Sequence, residues 1–182
     1  MKKVSMFLTQ DFETVEALAV VDILRRAGVT VDTISISDSL DVVSAQKIAV
    51  KAEYLLNGYD FNETDMIFLP GGPGITNYEK NKEFLSIVEE FFKTDKRIAA
   101  ICAAPSILGH LGILEGKKAT CFPGYEKDLY KAIVVKEKVV TDGNITTAIG
   151  MGASIEMGLE LVRILIGEEM KNKIAKSTQF LI

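Results

Sequence analysis

Residues 97–105 read Arg-Ile-Ala-Ala-Ile-Cys-Ala-Ala-Pro, a short apolar run that ends in a cysteine followed by two alanines and a proline. Arg97–Ile101 is typical of a strand buried on both faces, and Ala104–Leu111 is typical of a helix with Pro105 in its first turn. Cys102 therefore lies at a predicted strand-to-helix turn. The partial positive charge at the start of a helix favours a thiolate there, so we expect Cys102 to be the reactive centre.

Strands and helices alternate on both sides of this turn, and no linker, repeat or low-complexity tract interrupts them. Short apolar strands are predicted at residues 3–9, 29–37, 66–69 and 145–149. Helices are predicted at residues 13–27, 82–93 and 154–166. Small hairpins are predicted within 42–54 and between Val134-Val135 and Val139-Val140. This order predicts one α/β domain over residues 1–182, with a mostly parallel sheet, helices on both faces and ligands at the carboxyl ends of the strands.

The composition narrows the class of protein. A chain of 182 residues with 48% hydrophobic residues can bury the core of one domain. Its net charge of −4 provides no basic surface for nucleic acid or anionic membranes. Two cysteines, no signal-peptide pattern and no apolar run that could span a bilayer predict a cytoplasmic protein without structural disulfides. With a single histidine, His110, and so few cysteines, we expect no metal site.

Three predicted strand ends carry residues suited to covalent chemistry. Glu13 and Glu16 follow the first strand, Gly71-Gly72 follow the strand at 66–69, and Cys102 follows the next one. A carboxyl group beside a thiolate in a poorly solvated crevice stays protonated, so Glu16 would donate a hydrogen bond to the sulfur and pass a proton onward. The backbone N–H groups of Gly72 and Ala103 would stabilise a developing oxyanion.

Purely structural interpretations of these residues stay open at this point. A free cysteine at the end of an apolar strand is often a small buried hydrophobe, and acidic residues in a first helical turn often only complement the helix dipole. Cys121 is interpreted as a strand or loop residue without a catalytic role. His110, eight residues beyond Cys102, would stand about 12 Å along a straight helix, which is too far for a cysteine–histidine pair.

Four stretches of sequence together resemble one family. Residues 12–16 read Phe-Glu-Thr-Val-Glu, residues 21–28 Val-Asp-Ile-Leu-Arg-Arg-Ala-Gly, residues 69–72 Leu-Pro-Gly-Gly, and residues 99–105 Ala-Ala-Ile-Cys-Ala-Ala-Pro. In order and spacing they resemble the DJ-1/ThiJ/PfpI superfamily over nearly the whole chain. The form around the cysteine is similar to the DJ-1/ThiJ branch, because the PfpI protease branch places a histidine where this chain has Ala103.

The resemblance implies a flavodoxin-like fold, similar to that of class I glutamine amidotransferases, and a homodimer. It implies a nucleophile elbow at Cys102, a protonated carboxyl partner at Glu16, and backbone donors at Gly72 and Ala103. The further residues that it implies around the pocket are Gly71, Phe122, Gly150 and Met151, with Arg26 as a candidate anion contact.

Two departures from the family pattern bear on activity. Many relatives have a pocket histidine where this chain has Phe122, before Pro123, so proton transfer would depend more heavily on Glu16 or on water. The later Gly-Pro-Gly-Thr stretch of relatives is Gly-Met-Gly-Ala at residues 150–153, and the arginine before it is replaced by Ile149. These changes bear on the shape of the pocket and its affinity for anions.

The resemblance implies activity on reactive dicarbonyls, either as glyoxalase III, which converts glyoxal and methylglyoxal to hydroxyacids without a cofactor, or as a deglycase. We expect a stress-related enzyme in which Cys102 adds to a small aldehyde such as methylglyoxal and Glu16 shuttles the proton. The alternative is a redox sensor or chaperone-like protein whose Cys102 is oxidised to a sulfinate without turnover. A glutaminase or peptidase is disfavoured, because neither position 103 nor position 122 is a histidine.

Overall fold

The computed structural model describes residues 1–180, and a seven-stranded sheet lies at its centre. Two single turns of 3-10 helix lie at Glu126–Asp128 and Met151–Ala153. In chain order the strands and α-helices are β1 (Lys3–Leu8), α1 (Thr14–Arg26), β2 (Thr30–Ser35), β3 (Asp41–Val43), β4 (Ala49–Lys51), β5 (Tyr54–Leu55), β6 (Met66–Leu69), α2 (Ile75–Lys80), α3 (Lys82–Lys93), β7 (Arg97–Ile101), α4 (Pro105–His110), β8 (Lys118–Ala119), β9 (Ile133–Val134), β10 (Val139–Asp142), β11 (Ile145–Ala148), α5 (Ser154–Leu165) and α6 (Glu168–Ser177).

The central sheet is parallel except at one edge. Its strand order is β10-β11-β7-β6-β1-β2-β5, and β10 runs antiparallel to β11. In the parallel part, Val4 of β1 pairs with Val31 of β2 and with Met66 of β6, which pairs in turn with Arg97 of β7. The prediction of a flavodoxin-like α/β fold with a mostly parallel sheet is confirmed. This order also sets β1, β6 and β7 side by side, so that their carboxyl ends meet at one edge.

Side chains of the central strands alternate between two apolar layers. In β1, Met6 and Leu8 pack with residues of α1 and α5, whereas Phe7 packs with residues of α2, α3 and α4. In β7, Ile101 lies in the first layer and Ala100 in the second. Because the side-chain period of a strand is two, slipping the register by one residue would exchange the two layers. Burial on both faces therefore fixes where each strand ends and where the following loop begins.

The hairpin predicted between Val134-Val135 and Val139-Val140 is wrong. Strand β9 pairs in parallel with β8, and β10 forms its hairpin with β11. Asp142 pairs with Ile145 across a two-residue turn, and Gly143 in that turn has a φ of 62°, which glycine adopts without strain. The Gly143-Asn144 pair is the stronger hairpin signal, since it fits a two-residue turn of the type that joins two antiparallel strands.

The other differences between the predicted and the observed secondary structure concern short or polar elements. The hairpin predicted within 42–54 is confirmed for β3 and β4, and β5 continues from it to pair with β2. Helices α2 and α6 and strand β8 are not predicted by the sequence pattern. Helix α2 has six residues, and α6 buries only Ile174 and is mostly polar, so neither shows a clear apolar stripe. Across residues 1–180, no helix has the length and apolar character needed to cross a membrane.

Candidate active site

Three loops meet at the carboxyl end of the central sheet. They follow β1, β6 and β7, which are neighbours in the sheet. A Cβ atom built on Gly71, after β6, would lie 2.8 Å from the Cβ of Cys102 and 2.9 Å from the Oε2 of Glu16. No side chain fits in so small a space, so glycine allows the loop to contact both residues. The structure thus brings together the three groups that the sequence predicts to converge.

The backbone of Cys102 adopts a left-handed conformation. Its φ is 66°, which costs a residue other than glycine about 1–2 kcal/mol. Two hydrogen bonds hold it there: its N–H donates to the Ala148 carbonyl at 2.9 Å, and its own carbonyl accepts from the Phe122 N–H at 2.8 Å. The ends of β11 and of the segment after β8 thereby maintain a strained turn and leave the Cys102 side chain partly exposed.

Glu16 lies in the first turn of α1 with its side chain buried. Its relative exposure is 1%, and its Oε2 accepts a hydrogen bond from the Gly71 N–H at 2.9 Å. Its other oxygen, Oε1, is also buried and has no hydrogen-bond partner of normal geometry within residues 1–180. A buried carboxyl oxygen without a donor is stabilised by carrying a proton, because the charged form would remain poorly solvated there.

Burial makes both members of this pair harder to ionise. It raises the pKa of the Glu16 carboxyl to about 7, although hydrogen bonding with Cys102 and with the Gly71 N–H acts in the opposite direction. Burial, together with the charge and hydrogen bonding of Glu16, raises the pKa of the Cys102 thiol to about 12. Since each group opposes ionisation of the other, the pair carries at most one negative charge near neutral pH, with one proton to share.

Two backbone N–H groups oppose the rise in the pKa of the thiol. Those of Ala103 and Gly72 hydrogen-bond with Cys102 and lower that pKa. Gly72 has a φ of 105°, and a Cβ there would lie 2.5 Å from the Glu13 nitrogen. Burial and Glu16 act on the thiol pKa in the opposite direction to these donors. Ionisation of Cys102 as a thiolate stays a prediction.

Phe122, Gly150 and Met151 border the thiol. A Cβ built on Gly150 would lie 3.2 Å from the Cδ2 of Phe122 and 3.7 Å from the Sγ of Cys102. Met151 follows with an exposed side chain, and its backbone lies close enough to Glu16 to lower the pKa of that carboxyl. The side chains that frame the mouth of the site are therefore mainly apolar.

Three other residues make none of these contacts with the thiol. Arg26 is at the far end of α1, about 15 Å along the helix axis from Glu16, and its Nε donates to Asp22 at 2.7 Å. The structure therefore does not bring Arg26 to the site within one chain, and its anion contact, expected at a pocket on the dimer side, stays a prediction. His110 is exposed and hydrogen-bonds with Glu79 at 3.0 Å. Cys121 is buried, and burial raises the pKa of its thiol to about 12.

The structure adds two contributors that the sequence does not reveal. The Ala148 carbonyl holds the Cys102 backbone, and a backbone group leaves no signal in the residue type. Tyr78 of α2 is fully buried, donates its hydroxyl to the Phe7 carbonyl at 3.1 Å, and has its pKa raised by burial and by the charge of Glu16. Its helix is too short for a periodic pattern, so neither its burial nor its position is predicted.

Comparisons with known proteins agree with this geometry. The model of the DJ-1/PfpI family matches residues 2–164. Protein DJ-1 homolog B of Arabidopsis thaliana is 33% identical over 91% of this chain, which spans only 38% of that relative's length. Deglycase PH1704 of Pyrococcus horikoshii is 32% identical over 76% of this chain and 85% of its own. The solved structure of oxidized Toxoplasma gondii DJ-1 superposes with a TM-score of 0.95 at 30% identity, covering both chains completely. The protein therefore belongs to the DJ-1/PfpI family.

Proposed function

We propose that the protein is an enzyme that acts on reactive dicarbonyls such as methylglyoxal without a cofactor, in the manner of glyoxalase III or a deglycase. The observation that carries this proposal is the contact between the Cys102 thiol and the buried Glu16 carboxyl, whose Oε1 is free to hold a proton. A relative of 32% identity is named a deglycase, which supports an enzymatic role for the same site.

The first step is addition of the thiol to the aldehyde. The Cys102 sulfur bonds to the aldehyde carbon while the thiol proton passes to Glu16. The π electrons of the carbonyl move to its oxygen, which accepts hydrogen bonds from the N–H groups of Gly72 and Ala103. This oxygen then takes the proton from Glu16, and the product is a hemithioacetal. A carboxyl with a pKa near 7 suits both directions of this transfer at neutral pH.

The second step converts the hemithioacetal into product. Glu16, ionised again, removes the proton from the former aldehyde carbon and returns it to the neighbouring carbon. The hydroxyl on the former aldehyde carbon gives its proton to the former ketone oxygen and becomes a carbonyl, which completes the lactate thioester of Cys102. Water then attacks the thioester carbonyl, the carbon–sulfur bond breaks, and lactate leaves as the thiol regains its proton. The sum is methylglyoxal plus water giving lactate and a proton, so the electrons balance within the substrate and no external oxidant or reductant is consumed.

A second copy of the chain is proposed to cover the mouth of the site. Exposed apolar side chains surround the amino end of α1: Val15 beside Glu16, Ile48 from the segment that contacts this end, and Met151 and Ile155 on the loop after β11 and on α5. Monomeric soluble proteins seldom leave such a group uncovered. A homodimer would exclude water from the Cys102–Glu16 pair. Both cysteines of the described chain are free, in keeping with a reducing compartment such as the cytoplasm.

The test is product formation by the purified protein with methylglyoxal, in EDTA and without added thiol. We expect lactate to accumulate, and we expect alkylation of Cys102 by one equivalent of iodoacetamide to stop it. Because Cys121 is buried, mass spectrometry should find the label on Cys102. Lactate formation no faster than in a protein-free sample would refute the proposed reaction.

A redox sensor remains the second candidate function, favoured by the oxidized state of the similar Toxoplasma gondii protein. Here the Cys102 thiolate would attack hydrogen peroxide to give a sulfenate, and a second peroxide would oxidise it to the sulfinate, with one water released from each peroxide. The N–H groups of Gly72 and Ala103 and a protonated Glu16 would hold the resulting anion.

Mild peroxide treatment followed by peptide mass spectrometry tests this second function. We expect the sulfinate at Cys102 before any oxidation of Cys121, because the Cys121 side chain is buried and that of Cys102 is partly exposed. Oxidation of Cys121 or of the exposed Met151 at the same rate as Cys102 would show that the site is not tuned for peroxide.

A further inference from the structure

Glu13, Glu16 and Gly71 are joined by a closed ring of three hydrogen bonds. The Glu13 N–H donates to the Gly71 carbonyl at 2.9 Å, and the Gly71 N–H donates to the Oε2 of Glu16 at 2.9 Å. The Glu16 N–H then donates to the Oε2 of Glu13 at 2.8 Å. This ring ties the start of α1 to the loop after β6. It holds Glu16 at both its backbone and its carboxyl, which fixes the carboxyl against the turn that carries Cys102.

Glu13 contributes to the ring as the N-cap of α1. Its backbone is extended, and its side chain satisfies one of the N–H groups that the first helical turn leaves without a partner. Serine, threonine, asparagine and aspartate usually fill this position, and they place a smaller group there. Glutamate, like aspartate but unlike the other three, brings a second carboxylate close to Glu16. Two carboxylates in one helical turn oppose each other's ionisation.

We propose that Glu13 is a positioning residue for the Cys102–Glu16 pair, which holds the Glu16 carboxyl against Gly71 and keeps a proton on it by like-charge repulsion. This inference rests on the function proposed above. It extends that function, since it assigns the protonation state of the acid–base group to a residue that contacts neither the substrate nor the sulfur.

The charges around Glu16 agree with this role. The titratable groups that face it are Glu13, Cys102 after β7, and Tyr78 of α2, which burial keeps neutral. The charge of Glu13 raises the pKa of Glu16. The start of α1 favours the ionised carboxyl instead. Lys47, on the segment near this end of α1, is paired with Asp11 at 3.1 Å. Glu13 is therefore the fixed charge that favours a protonated Glu16.

The experiment measures the rate of Cys102 alkylation by iodoacetamide between pH 5 and pH 9, so it does not depend on turnover of a dicarbonyl. In wild type we expect the rate to rise around pH 7, where Glu16 loses its proton and can accept that of the thiol. Glu13→Gln keeps an acceptor oxygen for the Glu16 N–H but removes the charge. Because Glu16 then ionises more easily, we expect the midpoint to fall by about half a pH unit.

Two control variants test whether the shift is caused by the charge of Glu13, rather than by its role as N-cap or by the net charge of the protein. Glu13→Asp keeps both the charge and a good N-cap, so its midpoint should match wild type. Glu168→Gln removes the same charge from the first turn of α6, an exposed helix start elsewhere, and should also leave the midpoint unchanged. Circular dichroism confirms that each variant is folded before its profile is compared.

The outcomes distinguish this inference from the proposed function. If Glu13→Gln and wild type share one midpoint while Glu16→Gln abolishes the rise at pH 7, the role of Glu13 is refuted and the acid–base pair stands. If Glu16→Gln leaves the wild-type profile unchanged, the proposed function fails as well. A Glu13→Asp variant with the midpoint of Glu13→Gln would also refute the inference, because it retains the charge.

Discussion

Replacing Cys102 by alanine is expected to reduce lactate formation from methylglyoxal by about 10³-fold or more, because the proposed reaction has no other nucleophile. The sulfur forms the bond to the aldehyde and holds the intermediate until water releases it. Alanine leaves the N–H groups of Gly72 and Ala103 in place, so weak binding of the substrate can persist. Lactate should be quantified at saturating and subsaturating methylglyoxal, so that a change in kcat is separated from one in KM.

Cys121→Ala is the matched control for this loss. It removes the protein's other thiol, which is buried, and it should retain close to wild-type turnover. Removing the buried sulfur leaves a small cavity, so a modest decrease in the free energy of unfolding is expected without a change in kcat. Equal activity of the Cys102→Ala and wild-type proteins would exclude covalent catalysis at Cys102.

The second large effect is expected for Glu16→Gln. Glutamine has nearly the same shape, and its carbonyl oxygen can accept the hydrogen bond from the Gly71 N–H. It cannot take the thiol proton or return it to the substrate, so we expect kcat to fall by about 10²-fold, the usual contribution of a general acid–base group. The rise in Cys102 alkylation around pH 7 should disappear in the same variant, because it reports ionisation of Glu16.

The same substitution is expected to stabilise the folded protein, and only at high pH. A carboxyl whose pKa rises from 4.5 to about 7 on folding binds its proton more tightly in the folded state. Below pH 4.5 the Glu16 carboxyl is neutral in both the folded and the unfolded state, so it does not change the free energy of unfolding. As the pH rises through 7 the folded protein loses stability, to an extent of about 3 kcal/mol for a shift of this size. Glutamine carries no charge and avoids this loss.

Urea unfolding of wild type and Glu16→Gln at pH 4.5 and pH 8 measures the difference. The two free energies of unfolding should be similar at pH 4.5, and the variant should be the more stable protein at pH 8. Glu168→Gln, at an exposed position, should show no such dependence on pH. A Glu16→Gln protein that is less stable than wild type at pH 8 would mean that the ionised carboxyl is well solvated in the folded state.

Much of the fold follows from local pattern. Runs such as Arg97–Ile101 are apolar on both sides, and this feature alone predicts central strands between two helical layers. The hairpin near Val134 was predicted from an apolar pair on each side of a charged segment, whereas the Gly143-Asn144 turn marks the hairpin that forms. Helix α2 and the short β8 have too few residues to show any period, so their existence depends on tertiary packing.

Some features of the site are also predicted by local sequence, whereas others depend on packing between distant segments. Three strand ends in the order of the chain predict the convergence of Glu16, Gly72 and Cys102, because neighbouring parallel strands end at one edge. Helical rise also separates Arg26 from Glu16, an argument available from the sequence. The raised pKa of the Cys102 thiol, by contrast, could not be predicted from the sequence. It depends on how deeply the carboxyl and the sulfur are buried, and burial is set by packing among segments far apart in the chain.

The left-handed backbone at Cys102 has an evolutionary consequence. Glycine, asparagine and aspartate tolerate this conformation better than other residues do, whereas the present cysteine destabilises its own turn. A duplicated copy that no longer needed the sulfur would therefore drift toward one of those three amino acids rather than toward serine or alanine. Paralogues with such a residue at this position would have lost catalysis while gaining thermal robustness.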